Sequence, residues 1–141
     1  MRDVLSTLEG WVRDGRRVVV CTVVRTERSA PRLPGSVMAV SDTGEVAGSV
    51  TGGCVESALY AQTEEVMAGG PPRLASFGIV DDEAFEVGLP CGGTVHVFIE
   101  TLEPATLAGV VGAGGHDRTV CGLLDTSDTA SAPTLTGRCV L

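Results

Sequence analysis

The chain has 141 residues, with ten Arg and no Lys against 18 Asp+Glu, for a net charge of −8. The absence of lysine excludes a phosphate-loop lysine, a Schiff-base lysine and a lysine general base, and two histidines (His96 and His116) are too few for a His-rich metal site. A length of this order holds one domain, and 43% hydrophobic against 20% charged residues is the balance of a globular chain, not a disordered one.

In chain order, Val4, Leu5, Leu8, Trp11 and Val12 recur at helical spacing, with Asp3 placed to cap the helix and Gly15 to stop it. Residues 17–25 (RVVVCTVVR) are apolar and β-branched almost throughout, the pattern of a central strand buried on both faces. Residues 36–41 and 45–50 read as two short strands joined by Asp42-Thr43-Gly44 in a hairpin. A second helix is expected over 54–67, with Val55, Ala58, Leu59, Val66 and Met67 inward and Glu56, Glu64 and Glu65 toward water. Gly69-Gly70-Pro71-Pro72 ends it. Strands at 73–79 and 94–102 follow, with a short turn at Asp81–Phe85 between them. This order predicts an α/β (α+β) fold, a single small domain over 1–103 with a mixed β-sheet flanked by helices. Residues 104–141, rich in Gly, Ala, Ser and Thr, read as a linker and irregular C-terminal tail.

An acidic chain argues against a nucleic-acid partner, because phosphates are neutralised by clustered positive charge. No apolar run reaches the ~18 residues of a membrane span, and the first residues lack a signal-peptide layout, so no membrane partner is expected and the cytoplasm is the expected compartment. Five cysteines, at 21, 54, 91, 121 and 139, form no CxxC pair; neither a disulfide framework nor a zinc finger is expected.

Three segments can carry chemistry. Arg25, Arg28 and Arg32 fall within eight residues around Ser29-Ala30-Pro31, and guanidinium forks bind phosphate or carboxylate through paired hydrogen bonds. The alternative is solvated arginines paired with nearby acids. In Gly48–Glu56 (GSVTGGCVE) a strand passes through Gly52 and Gly53 into a helix, whose free amides and dipole favour an anion and would lower the pKa of Cys54. The plainer alternative is a tight turn with a buried Cys54. Gly88–Gly93 (GLPCGG) repeats the pattern, with Cys91 beside Gly92 and Gly93. Two glycine-flanked cysteines facing one cavity would suit an anionic ligand bearing sulfur or metal. Asp81, Asp82 and Glu83 can hold a cation or cap a turn, and His96 reads as a hydrogen-bonded sheet histidine.

Assembled, these segments resemble the N-terminal domain of the XdhC/CoxI family. The resemblance runs over about residues 5–103 through Ser29-Ala30-Pro31-Arg32, Gly35, Gly48-Ser49-Val50, Gly52–Glu56, Phe77-Gly78, Asp81-Asp82, Gly88-Leu89, Cys91-Gly92-Gly93 and Glu100-Thr101-Leu102. It implies a maturation factor for molybdenum hydroxylases such as xanthine dehydrogenase and carbon monoxide dehydrogenase, with no catalytic or metal-ligating residues of its own. Such a factor binds the molybdenum–molybdopterin cofactor as cargo, holds it during sulfuration by a cysteine desulfurase, and passes it to the apoenzyme. The cofactor-binding positions it marks are Arg28, Ser29, Arg32, Gly52, Gly53, Cys54, Glu56, Cys91, Gly92 and Gly93. Family members continue into a Rossmann-like domain; Leu107–His116 resembles its opening, and the remaining residues to Leu141 are expected to be a truncated remnant. A separate Rossmann-domain protein is then an implied partner, and a homodimer stays open. Two alternatives remain: a sulfur carrier using Cys54, and an interaction module without ligand that uses Trp11 and the first helix as its surface.

Overall fold

The computed structural model describes residues 2–28, 32–53, 55–78, 93–104, 107, 120–125 and 134–140, with residues 2–3 and the last two spans described by backbone alone. Helix α1 (Arg2–Arg13) is followed by strands β1 (Val18–Glu27), β2 (Val37–Ser41) and β3 (Val46–Gly48). Helix α2 (Glu56–Met67) leads to β4 (Arg73–Gly78) and β5 (Thr94–Thr101). The five strands form one sheet in the order β3-β2-β1-β5-β4.

β1 is central because its side chains are apolar on both faces. Val19, Cys21 and Val23 turn toward α2, where they meet Met38, Val40, Leu59, Val66, Phe77, Val95, Val97 and Ile99. Val18 on the other face joins Leu8, Trp11, Ala39 and Leu107 beneath α1. The period-2 alternation of β1 therefore feeds two cores, one under each helix. α1 begins at Arg2, so Asp3 lies inside its first turn rather than capping it; its stop at Gly15 is as expected, with Gly15 N–H and Arg16 N–H bonded back to Val12 and Trp11. The Asp42–Gly44 hairpin is also as expected.

Two further expectations need correction. The sheet is antiparallel in all four ladders rather than mixed. Short links join β1 to β2 and β2 to β3, which makes each pair antiparallel, and the α2 crossover delivers β4 to the far edge, where it pairs antiparallel with β5. The region beyond Glu103 is not irregular throughout: β6 (Val120–Asp125) and β7 (Thr134–Val140) pair as an antiparallel ladder, with a register shift after Gly122. Asp81–Phe85 and residues 108–116 of the expected Rossmann-like opening lie outside the described residues. Among the described residues no helix is long and apolar enough to cross a membrane.

Candidate functional site

The strand directions bring to one end of the sheet the strand ends that flank the three chemical segments in the chain. β1 runs antiparallel to β2 with Val18 opposite Ser41 and Thr22 opposite Val37, so the end of β1 lies beside the start of β2. Met38 faces Gly48, which brings the end of β3 to that same end. Glu27 faces Thr94, and Thr94 faces Gly78, so the start of β5 and the end of β4 join them. The ends of β1, β3 and β4 and the starts of β2 and β5 thus lie at one end of the sheet, and the chain passes from that end of β3 into α2. Arg28 leaves β1 where Gly93 enters β5. Ser29, Cys54, Cys91 and Gly92 lie outside the described residues.

Around β1 the ladder to β5 carries a bulge between Val23 and Arg25. Arg25 there is exposed and paired with Glu27 at 3.0 Å, the plainer of the two readings for this arginine. Arg28 sits in the left-handed region (φ 57) and is exposed. The next turn is tied back to the sheet: Gly35 N–H donates to the Val23 carbonyl at 2.8 Å and Val23 N–H to the Ser36 carbonyl at 2.9 Å. Arg32, three residues before Gly35, is exposed, and among the described residues it has no ion-pair partner.

The turn from β3 to α2 is organised by Glu56, the first residue of α2. One carboxylate oxygen accepts from Ser49 Oγ (2.6 Å) and from the N–H groups of Val50 (3.2 Å), Thr51 (2.9 Å) and Gly52 (3.0 Å). The other accepts from Thr51 Oγ1 (2.8 Å), Gly53 N–H (2.8 Å) and Val55 N–H (3.2 Å). Every one of these contacts is a donor, so only an ionised carboxylate satisfies them all. Burial pushes the Glu56 carboxyl up, but hydrogen bonds from the Ser49 hydroxyl, the Thr51 N–H and hydroxyl, and the Gly52 N–H outweigh it and hold the group far below the usual carboxylate range. The expectation that Glu56 faces water is therefore corrected. Its side chain folds back across the helix start, where the free amides and the dipole attract negative charge.

The backbone can close this way only through glycine. Gly48 (φ +79) lies so near β2 that a Cβ there would fall on the Val37 carbonyl oxygen and 2.9 Å from Val4 Cγ2. Gly52 and Gly53 (φ +90 and +124) would meet nothing within 4 Å, so they serve turn conformation and leave bare backbone at the surface. Of the amides that the sequence marks for an external anion, those of Gly52 and Gly53 are thus already taken by the chain's own carboxylate. Sequence reasoning missed this role of Glu56 and those of Ser49 and Thr51; an acid two residues after Gly-Gly-Cys, at the mouth of a helix, is the signal.

Elsewhere, Cys21 is a free thiol in the core, and burial pushes it up to about 12, so it is inert at neutral pH. His96 is the sheet histidine expected, its Nδ1 2.8 Å from Ser76 Oγ and its Nε2 3.4 Å from Glu27. An open groove of about 930 Å³ runs between α1 and the β2–β3 hairpin, reaching Arg32 and Ser49.

A domain of this kind, two helices on a five-stranded antiparallel sheet, has known counterparts. Residues 11–78 match the model of the XdhC and CoxI family, and the chain belongs to that family. It is 34% identical over 104 residues to the molybdenum cofactor insertion chaperone PaoD of Escherichia coli, covering 74% of this chain and 32% of that protein. It is 28% identical over 99 residues to a probable xanthine dehydrogenase subunit of Bacillus subtilis, covering 69% and 30% respectively. A crystal structure described as a xanthine dehydrogenase from Bacillus halodurans superposes with a TM-score of 0.64 at 25% identity, over 77% of this chain and 34% of that one. The chain spans about a third of the length of the curated relatives it matches.

Proposed function

We propose that this chain is a maturation chaperone that binds the molybdenum–molybdopterin cofactor, holds it during sulfuration, and delivers it to an apoenzyme of the xanthine dehydrogenase or carbon monoxide dehydrogenase type. The support is membership of the XdhC and CoxI family together with the names of its relatives, an insertion chaperone and a xanthine dehydrogenase subunit. The single observation that carries the reading is the rigid, glycine-faced turn locked by Glu56 at the sheet end from which Arg28 and Arg32 also project. Residues 1–103 are the domain to which the role is assigned, acting in the cytoplasm.

Arg28, Ser29, Arg32, Gly52, Gly53, Cys54, Glu56, Cys91, Gly92 and Gly93 are the proposed cofactor-binding set. Within it the work divides. Glu56 shapes the turn, Gly52 and Gly53 let the ligand approach bare backbone, and the arginines meet its phosphate. Cys54 and Cys91 are the soft atoms offered to the metal–sulfur centre. Holding and release need no turnover: transfer follows when the apoenzyme binds the cofactor more tightly. A cysteine desulfurase and a separate Rossmann-domain protein are the proposed accessory partners. The test is to purify the protein from cells that make the cofactor, oxidise it, and measure released pterin fluorescence. Pterin in the wild type and its loss in Cys54→Ala or Cys91→Ala is the expected result; a wild type without pterin overturns the proposal.

A further inference from the structure

The groove between α1 and the β2–β3 hairpin is unused by the residues assigned so far, apart from Arg32 at its mouth. Val4, Thr7 and Trp11 of α1 form one wall, and Ala47, Gly48 and Ser49 form the other. At about 930 Å³ this open groove has room for a small organic ligand. Its walls mix apolar and hydroxyl groups, which suits a flat heterocycle with polar edges better than a purely apolar chain. Gly48 matters here a second time, because the missing side chain brings the hairpin backbone level with α1.

Charge decides what the groove accepts. Two lining residues are charged, Glu45 and Arg32. Glu45 is ion-paired with Arg16, which precedes β1, and also accepts from the Thr43 hydroxyl at 3.0 Å, so its charge is matched by a cation of its own. Arg32 has no such partner among the described residues and leaves the groove mouth positive. The neighbouring turn cannot compete for an anion, since Glu56 already holds the N–H groups of Gly52 and Gly53. Ser49 joins the two features: its hydroxyl donates to Glu56, accepts from Gly52 N–H at 2.8 Å, and lies in the groove wall.

We propose that this groove is the subsite for the planar heterocycle of a phosphate-bearing pterin, with Arg32 as the anion contact and Glu56 as a positioning residue acting through Ser49. The inference rests on the cofactor reading given above and adds where the ring system lies.

Trp11 is the single tryptophan and lines the groove, which supplies a direct readout. Pterin-6-carboxylate, a flat pterin with one negative charge, is titrated against the full chain while Trp11 fluorescence is followed. Saturable quenching is expected in the wild type. Thr7→Phe, which puts a ring into the groove, should abolish it; Arg32→Ala should weaken binding about ten-fold, the scale of one lost charge-assisted contact. Leu33→Ala, at a residue 78% exposed and outside the groove lining, should leave the affinity unchanged. Thermal melts confirm that each variant is folded, and Arg32→Ala, at an exposed position, keeps the test decisive if Thr7→Phe does not fold. No quenching in the wild type, or equal affinity in wild type and Arg32→Ala, overturns the groove. Pterin that copurifies without quenching Trp11 removes the groove while the chaperone reading stands. Quenching without copurified pterin does the reverse.

Discussion

Gly48 holds the hairpin against α1, and replacing it with alanine should be the most damaging glycine substitution among three compared. Its φ of +79 puts an L-residue in the left-handed region, at a cost of about 1–2 kcal/mol. The added Cβ also falls on the Val37 carbonyl and 2.9 Å from Val4 Cγ2, an overpacking term of about 1–3 kcal/mol. Together these give a loss of about 2–5 kcal/mol, against a total stability of about 5–15 kcal/mol for a domain. Gly52→Ala shares the positive φ but meets nothing within 4 Å, so it should lose only about 1–2 kcal/mol. Gly10→Ala, in the middle of α1 with open space around it, should gain about 0.5–1 kcal/mol. Urea unfolding of the three variants gives the order directly, and thermal melts should follow at about 3 °C per kcal/mol. If Gly48→Ala is no less stable than Gly52→Ala, the close packing of hairpin on helix is wrong.

Three further outcomes are expected. Glu56→Gln places an amide N–H₂ against N–H and O–H donors, so it should cost about 2–3 kcal/mol at neutral pH, measured by urea unfolding. Because the folded-state pKa of Glu56 is depressed, its stabilisation is full above the unfolded value and is lost as pH falls through the acid range. The difference between wild type and Glu56→Gln should therefore shrink below about pH 4, a comparison that also cancels the opposite contribution of Glu100, whose carboxyl burial pushes up. Leu59→Ala, fully buried between α2 and the sheet, should cost about 2–5 kcal/mol, whereas Arg25→Ala, in an exposed pair, should stay within about 0.5 kcal/mol. Cys21 should resist alkylation in the folded protein at pH 8 and react on unfolding, as read by peptide-resolved mass spectrometry.

How far the sequence could be read depended on whether local pattern or backbone geometry decided the outcome. β1 announced itself because it is apolar at every inward position on both faces, and α1 because Leu8 and Trp11 keep the helical period. The arginine segment and the two glycine-bearing segments were legible as candidates, since their spacing implies turns at strand ends. Sheet direction was not legible: short β-branched strands look alike in parallel and antiparallel ladders, and only the link lengths separate them. Glu56 was misread because a helical wheel assigns an acid by face. Wheels do not describe the first turn, where left-handed glycines let the chain fold its amides around the next carboxylate. β6 and β7 were missed because Gly122 and Gly137 break the alternation that marks a strand.

The central claim is that one end of this sheet, with its groove, is the face that meets the cofactor. Amide chemical shifts of the ¹⁵N-labelled protein, recorded while molybdopterin cofactor released from a molybdenum hydroxylase is added, test it most directly. The expected changes concentrate at Arg32–Ser36 and Gly48–Gly53 and leave Leu59–Met67 of α2 unmoved. Changes centred on α2 or on the β4 edge, or no changes at saturating cofactor, contradict the account.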